Sequence, residues 1–167
     1  MPMEPRVFHL LHLSYKAIFR AADRVLMTRY GISAAQNAVL LYLLKHEGAT
    51  MGQVAVALGL KNAATSGLVD RMEKNDLVER RPSASDGRAY ELYLRPTGRD
   101  TAEQSKSVIR QSNERLLEGF TGDERALMSR FFETIIDRAD HFGAHDIHDT
   151  DDIGDTNDEF QGRGKDI

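Results

Sequence analysis

The stretch NAATSGLVDRMEK, residues 62–74, holds Ala63, Ser66, Gly67, Asp70 and Lys74 at spacings that share one side of a helix, with Asn62 and Arg71 on its shoulders. Such a face is small and polar. Small side chains let a helix sink close to base edges in the major groove of a duplex, Asn and Ser can hydrogen-bond those edges, and Arg71 and Lys74 can reach phosphates. An ordinary solvated helix face has the same look, so a second constellation is needed to decide between the two.

That second constellation follows directly. Arg80 and Arg81 lie on one candidate strand, and Asp86-Gly87-Arg88 marks the tip of a hairpin whose return arm, Arg88 to Leu94, alternates Tyr90, Leu92 and Leu94 with Ala89, Glu91 and Tyr93. Asp-Gly supplies tight-turn chemistry. An arginine at such a tip suits the negative potential of a narrow minor groove, while Arg80 and Arg81 are placed to hold phosphates. The plain alternative is a surface hairpin in which Asp86 and Arg88 merely pair with neighbours.

Helices must carry these groups, and their starts are well marked. Ser33-x-x-Gln36, Thr50-x-x-Gln53 and Thr121-x-x-Glu124 are capping boxes, and Gly48 and Gly59 stand where left-handed stops are expected after the first two. On the helix 62–74 the buried stripe is read as Ala64, Leu68, Val69 and Met72 with Thr65 among them. The order is therefore helix, turn at Gly59-Leu60-Lys61, helix, hairpin.

Long helices flank this centre. One is expected from about Arg6 to Arg29, with Val7, Leu10, Leu11, Ala17, Ile18, Val25 and Leu26 on a broad stripe that Phe8, Leu13 and Tyr15 widen beyond the needs of one core. Another runs from about Gly98 to Phe120, and a third carries Leu127, Phe131, Phe132, Ile135, Ile136 and Phe142. Apolar faces in surplus at both ends of a chain imply that the ends of two copies interlock, so a homodimer is expected. A large monomeric helical core is the alternative.

Totals bound the remaining classes. With 167 residues the chain suits one domain plus arms, and no apolar run long enough for a membrane span and no secretory leader is visible, so a cytoplasmic protein with no membrane partner is expected. The absence of cysteine excludes disulfides, thiolate metal sites and thiol-based sensing. The net charge of −4 is unevenly placed: His145 to Ile167 carries eight acids against two bases, a net of −6, which leaves the rest at +2. The tail, 143–167, is read as an acidic disordered segment that either solubilises the protein or competes with phosphates for its basic face.

Other chemistry finds little support. His141, His145 and His148 have a spacing compatible with zinc or nickel, but Gly143 and the polar tail argue against a continuing helix, and no metal is assigned. The acids around Asp149 and Asp151 lack the later ligands of a calcium loop. No phosphate loop, metalloprotease motif or nucleophile elbow is present, so no catalytic residue and no cofactor is expected.

From about Phe8 to Phe142 the chain resembles the MarR family of bacterial transcriptional regulators. The specific part is GLKNAATSGLVDRMEKNDLVERRPSASDGRAYELYLRPTG, Gly59 to Gly98, where the turn, the helix with LVDRME, LVERRP, the DGR wing and Leu-x-Pro-Thr-Gly occur in the family's order. The resemblance implies a mostly α protein with a small β-hairpin: a winged helix-turn-helix domain, 33–97, flanked by N- and C-terminal dimerisation helices, 6–30 and 98–142, within a single domain 6–142. It carries base contacts onto Ala63, Ser66 and their neighbours Asn62, Thr65 and Gly67, a minor-groove role onto Arg88, and bracing of the wing onto Asp86. Family members often have Ser where this chain has Lys61 and Arg where it has Gly67, so helix capping is expected to shift to Asn62.

The resemblance also implies a cavity between the dimerisation helices and the winged domain, taking a small-molecule effector such as an aromatic or phenolic acid. His9, His12, Tyr15, Arg20 and Tyr42 are the polar groups assigned to it. The expected protein is a ligand-responsive dimeric repressor binding double-stranded DNA at an imperfect palindrome. A dimeric small-molecule or protein-binding module that has lost DNA recognition stays open, given the net charge and Gly67.

Overall fold

The computed structural model describes residues 6–83 and 89–139; Asp86, Arg88, Phe142, the acidic tail and the three tail histidines lie outside the described residues. The chain divides into two compact units, Met1–Leu116 and Leu117–Ile167.

The first unit opens with α1 (Val7–Tyr30), ended by Gly31, whose φ of 67° lets its N–H close on the Met27 carbonyl. A sharp turn leads to α2 (Ala34–Lys45). Ser33 Oγ accepts from the Gln36 N–H at 3.1 Å, Gln36 Oε1 accepts from the Ser33 N–H at 2.8 Å, and Asp23 Oδ1 accepts from Ala34 N–H at 2.6 Å. The cap and the α1–α2 contact thus form together. A two-residue strand β1 (Ala49–Thr50) precedes α3 (Met51–Ala57), which Thr50 and Gln53 cap in the same way.

Next come α4 (Asn62–Lys74), β2 (Val78–Pro82), β3 (Tyr90–Leu94) and α5 (Pro96–Leu116). The strands pair antiparallel in the order β1-β3-β2, with Val78 opposite Leu94, Arg80 opposite Leu92 and Ala49 also opposite Leu92. The hairpin read from alternation is therefore part of a three-stranded sheet. Two residues are too few to show any period, which is why β1 leaves no mark in the sequence.

Val39, Leu40 and Leu43 of α2, Val54 of α3, Val69 and Met72 of α4, Val78 of β2 and Leu92 of β3 have no accessible surface and make one core. Burying each side chain contributes about 1.5–3 kcal/mol, so the helix-turn-helix and the sheet are held by one shared interior. Asp76 ends α4 in the left-handed region, φ 57°, and its carboxylate meets Arg95 Nη1 at 2.6 Å. α5 lies against α2, and the Tyr30 hydroxyl donates to the Gln104 carbonyl at 3.2 Å, tying α1 to α5.

Most of the α1 stripe is not covered: of its apolar residues only Leu26 is buried, while Phe8, Leu10, Leu13 and Ile18 are exposed. In the second unit α6 (Gly122–Ala139) starts at the expected box, where the Thr121 N–H donates to Glu124 Oε2 at 2.8 Å. The Thr121 N–H and hydroxyl hold the Glu124 carboxyl below its ordinary value. No residue of α6 is buried. No described helix is long and apolar enough to cross a membrane.

Candidate nucleic-acid interface

α4 buries Thr65, Leu68, Val69 and Met72 and turns the rest outward. Ala64, expected in the buried stripe, is exposed, because the arc facing the core spans only the four residues whose side chains meet α2, α3 and β2. Thr65 does not share the outer surface: it is fully buried, and its hydroxyl donates to the Lys61 carbonyl at 3.2 Å. The capping expectation at Asn62 is also corrected. Lys61 is the N-cap residue and no side chain caps the helix, since Asn62 is already its first helical residue.

The exposed part of α4 splits into two edges. Gly67, Arg71 and Lys74 form one, and Arg71 Nη1 lies 3.7 Å from the point where a β-carbon on Gly67 would stand, so the guanidinium passes over the glycine at van der Waals distance. Among the described residues neither Arg71 nor Lys74 is in an ion pair. Both line a slot of about 450 Å³ with Ser33, Gln36 and Asn75.

Ser66, Asp70 and Glu73 form the other edge, beside β2. There Arg80 Nη2 meets Asp70 Oδ1 at 2.6 Å, Arg80 Nη1 meets Glu73 Oε2 at 2.6 Å, and the Arg80 N–H donates to Glu73 Oε1 at 3.0 Å. Arg80 is therefore committed within the fold, its side chain only 22% exposed. The sequence reading missed Asp70 and Glu73 as its partners, although two acids three apart on a helix facing an arginine-bearing strand are a usable signal.

Arg81 points the other way. Its guanidinium stacks 4.2 Å over the Tyr93 ring and pairs with Glu79, and its side chain stays 59% exposed. Behind it the Tyr93 hydroxyl donates to Glu91 Oε2 at 2.9 Å and the Ser83 hydroxyl to Glu91 Oε1 at 2.7 Å. The bonds from Ser83 first and Tyr93 second hold the Glu91 carboxyl below its ordinary range, and the bond to Glu91 pushes the Tyr93 phenol up. Between α3, α4 and the strands lies an open cleft of about 770 Å³, lined by Thr50, Gly52, Ser66, Arg80, Ala89 and Tyr90.

The five residues assigned to an effector are not gathered. His9, His12, Tyr15 and Arg20 are exposed along α1, and Tyr42 stacks on His46 at 4.6 Å. None lines the apolar pocket of about 310 Å³ between α1 and α5, whose walls include Ile18, Val25, Leu26, Val108 and Ile109, with Ser112 and Asn113 as its polar groups. That pocket was missed because its walls look like ordinary core stripes.

A helix, a turn, a second helix with a small polar outer face, and a wing on the same core define a winged helix-turn-helix protein. The MarR family pattern matches residues 30–89, from the last residue of α1 to the residue before β3, and over that segment the chain is similar to the family. The HTH-type transcriptional regulator YsmB of Bacillus subtilis is 28% identical over 114 residues, 68% of this chain and 78% of the relative. The HTH-type transcriptional repressor MdtR of the same organism is 29% identical over 91 residues, 53% of this chain and 59% of the relative. Among solved structures, that of the S. aureus MepR–DNA complex shares the fold with a TM-score of 0.75 at 21% identity, covering 81% of this chain and 99% of that one.

Proposed function

We propose that this protein is a ligand-responsive dimeric repressor that binds double-stranded DNA, with α4 in the major groove and the wing in the minor groove. The observation that carries the reading is the outer face of α4: Ala63, Ser66 and Gly67 are small enough for close approach, and Arg71 and Lys74 beside them are in no ion pair among the described residues. Asn62 and Ser66 read base edges, Arg71, Lys74 and Arg81 hold phosphates, and the Arg88 tip, braced by Asp86, enters the minor groove. The similar fold solved in complex with DNA supports this mode, and the relative named as a repressor supports its sense.

A second copy covers the apolar faces of α1 and α6. Phe8, Leu10, Leu13 and Ile18 on one, and Leu127, Phe131, Phe132 and Ile136 on the other, are exposed in the single chain, far more than a soluble surface needs. Two wings then meet an imperfect palindrome with half-sites about one helical turn, roughly 10 base pairs, apart. The apolar pocket between α1 and α5 suits a small aromatic effector.

The test is a mobility shift with the duplex upstream of the protein's own coding sequence, repeated across salt. Binding that falls steeply with salt is expected, since each neutralised phosphate releases counterions. A protein that sediments as a dimer yet leaves this duplex unshifted at low salt would instead be a binding module without DNA recognition.

A further inference from the structure

We propose that Arg80 is a positioning residue and not a phosphate ligand. Forked between two carboxylates, its guanidinium fixes the recognition helix to the wing and cancels charge that would otherwise face a phosphate backbone. This inference rests on the DNA-binding reading above. It concerns a residue whose type and place in the sequence suit a phosphate contact.

Both terminal nitrogens of the Arg80 guanidinium are engaged within the fold. Nη1 bonds Glu73 and Nη2 bonds Asp70, both at 2.6 Å, and Nη2 also points at the Ser66 carbonyl at 3.5 Å. The backbone N–H of the same residue takes the other Glu73 oxygen at 3.0 Å. Strand β2 is thereby joined to three residues, Ser66, Asp70 and Glu73, on one edge of α4. The planar fork sends two separate nitrogens to two carboxylates in fixed directions, whereas a lysine ammonium is one compact charge on a flexible stem and cannot reproduce that spacing.

The same edge explains why neutralisation matters. Asp70 is half exposed and sits one turn from Ser66, on the side of α4 that the proposed contact uses. Left unpaired, Asp70 and Glu73 would place two negative charges beside DNA, and like charges across an interface weaken association. Arg71, Lys74 and Arg81 differ from Arg80 in remaining outward, so the attractive contacts and the clamp fall to different residues.

The experiment measures affinity for the upstream duplex by fluorescence anisotropy at two salt concentrations, with thermal unfolding of each full-length variant alongside. Arg80→Met should bind about tenfold more weakly, the size of effect expected within one charge network. A triple variant, Arg80→Gln with Asp70→Asn and Glu73→Gln, replaces the charged cluster with neutral amides and should return to within about threefold of wild type. Arg80→Lys keeps the charge without the fork and should also bind weakly.

A triple variant that unfolds normally but stays as weak as Arg80→Met overturns the inference, because a lost phosphate contact cannot be restored by neutralising acids. Wild-type affinity in Arg80→Lys overturns it too, since a point charge then suffices. If the wild-type chain itself leaves the duplex unbound, the DNA-binding reading falls first and takes this inference with it.

Discussion

The carbonyl oxygen of Leu77 lies 1.9 Å from the point where a β-carbon on Gly98 would stand. The same carbonyl accepts the Arg95 N–H at 3.1 Å, so the turn from β3 into α5 closes directly over the start of β2. Backbone occupies that space and cannot swing aside. Gly98→Ala should therefore destabilise the protein by about 2–3 kcal/mol, read as a lower urea midpoint with the slope unchanged. An unmoved midpoint would mean that the contact is looser than it looks.

Gly67 is the opposite case. It sits mid-helix with ordinary backbone angles, and an added β-carbon would meet only Arg71 Nη1, at a van der Waals distance of 3.7 Å. Gly67→Ala should raise stability by about 0.5–1 kcal/mol, the helix preference of alanine over glycine. Calorimetry checks this: the unfolding midpoint should rise by a few degrees, and a fall would show that the Arg71 guanidinium cannot give way.

The wing base should respond to acid in a fixed direction. Glu91 titrates below its ordinary value of 4.5 because Ser83 and Tyr93 donate to its charged form. The unfolded chain then binds more protons than the folded one just below pH 4.5, so this contribution to stability is present above that pH and is lost as pH falls through the lowered folded value. Denaturant titrations between pH 6 and 3 should show a shallower acid loss in Ser83→Ala than in wild type. Equal slopes would remove Ser83 from the account.

Arg71 and Lys74 should each behave as one phosphate contact. Arg71→Ala and Lys74→Ala should each weaken duplex binding and reduce the slope of log affinity against log salt by about 0.9. A weakened variant with the full slope would mark that residue as reading a base or bracing the helix.

Much of the architecture was legible from local chemistry. The boxes at Ser33, Thr50 and Thr121 form as read, because a cap needs only one side chain and a backbone N–H three residues on. Gly48 and Gly59 take the left-handed conformation expected of them. The recognition helix shows how far such rules reach: Lys61 starts it without any side-chain cap, because packing of Thr65, Leu68, Val69 and Met72 holds the helix regardless.

What the residues alone determined is the inventory: where helices start, which face of α4 is small and polar, and which segment carries the arginines. Those features depend on spacing over a few positions, and spacing is written in the chain. Which arginine remains available was decided by the tertiary structure alone. Arg80 and Arg81 are neighbours of the same type, but the strand's alternation sends one toward Asp70 and Glu73 on a helix and the other across Tyr93 toward solvent. The pairing of β1 with β3 and the contact of Leu77 with Gly98 likewise join residues far apart in sequence, and only closing the core brings such partners within reach of each other.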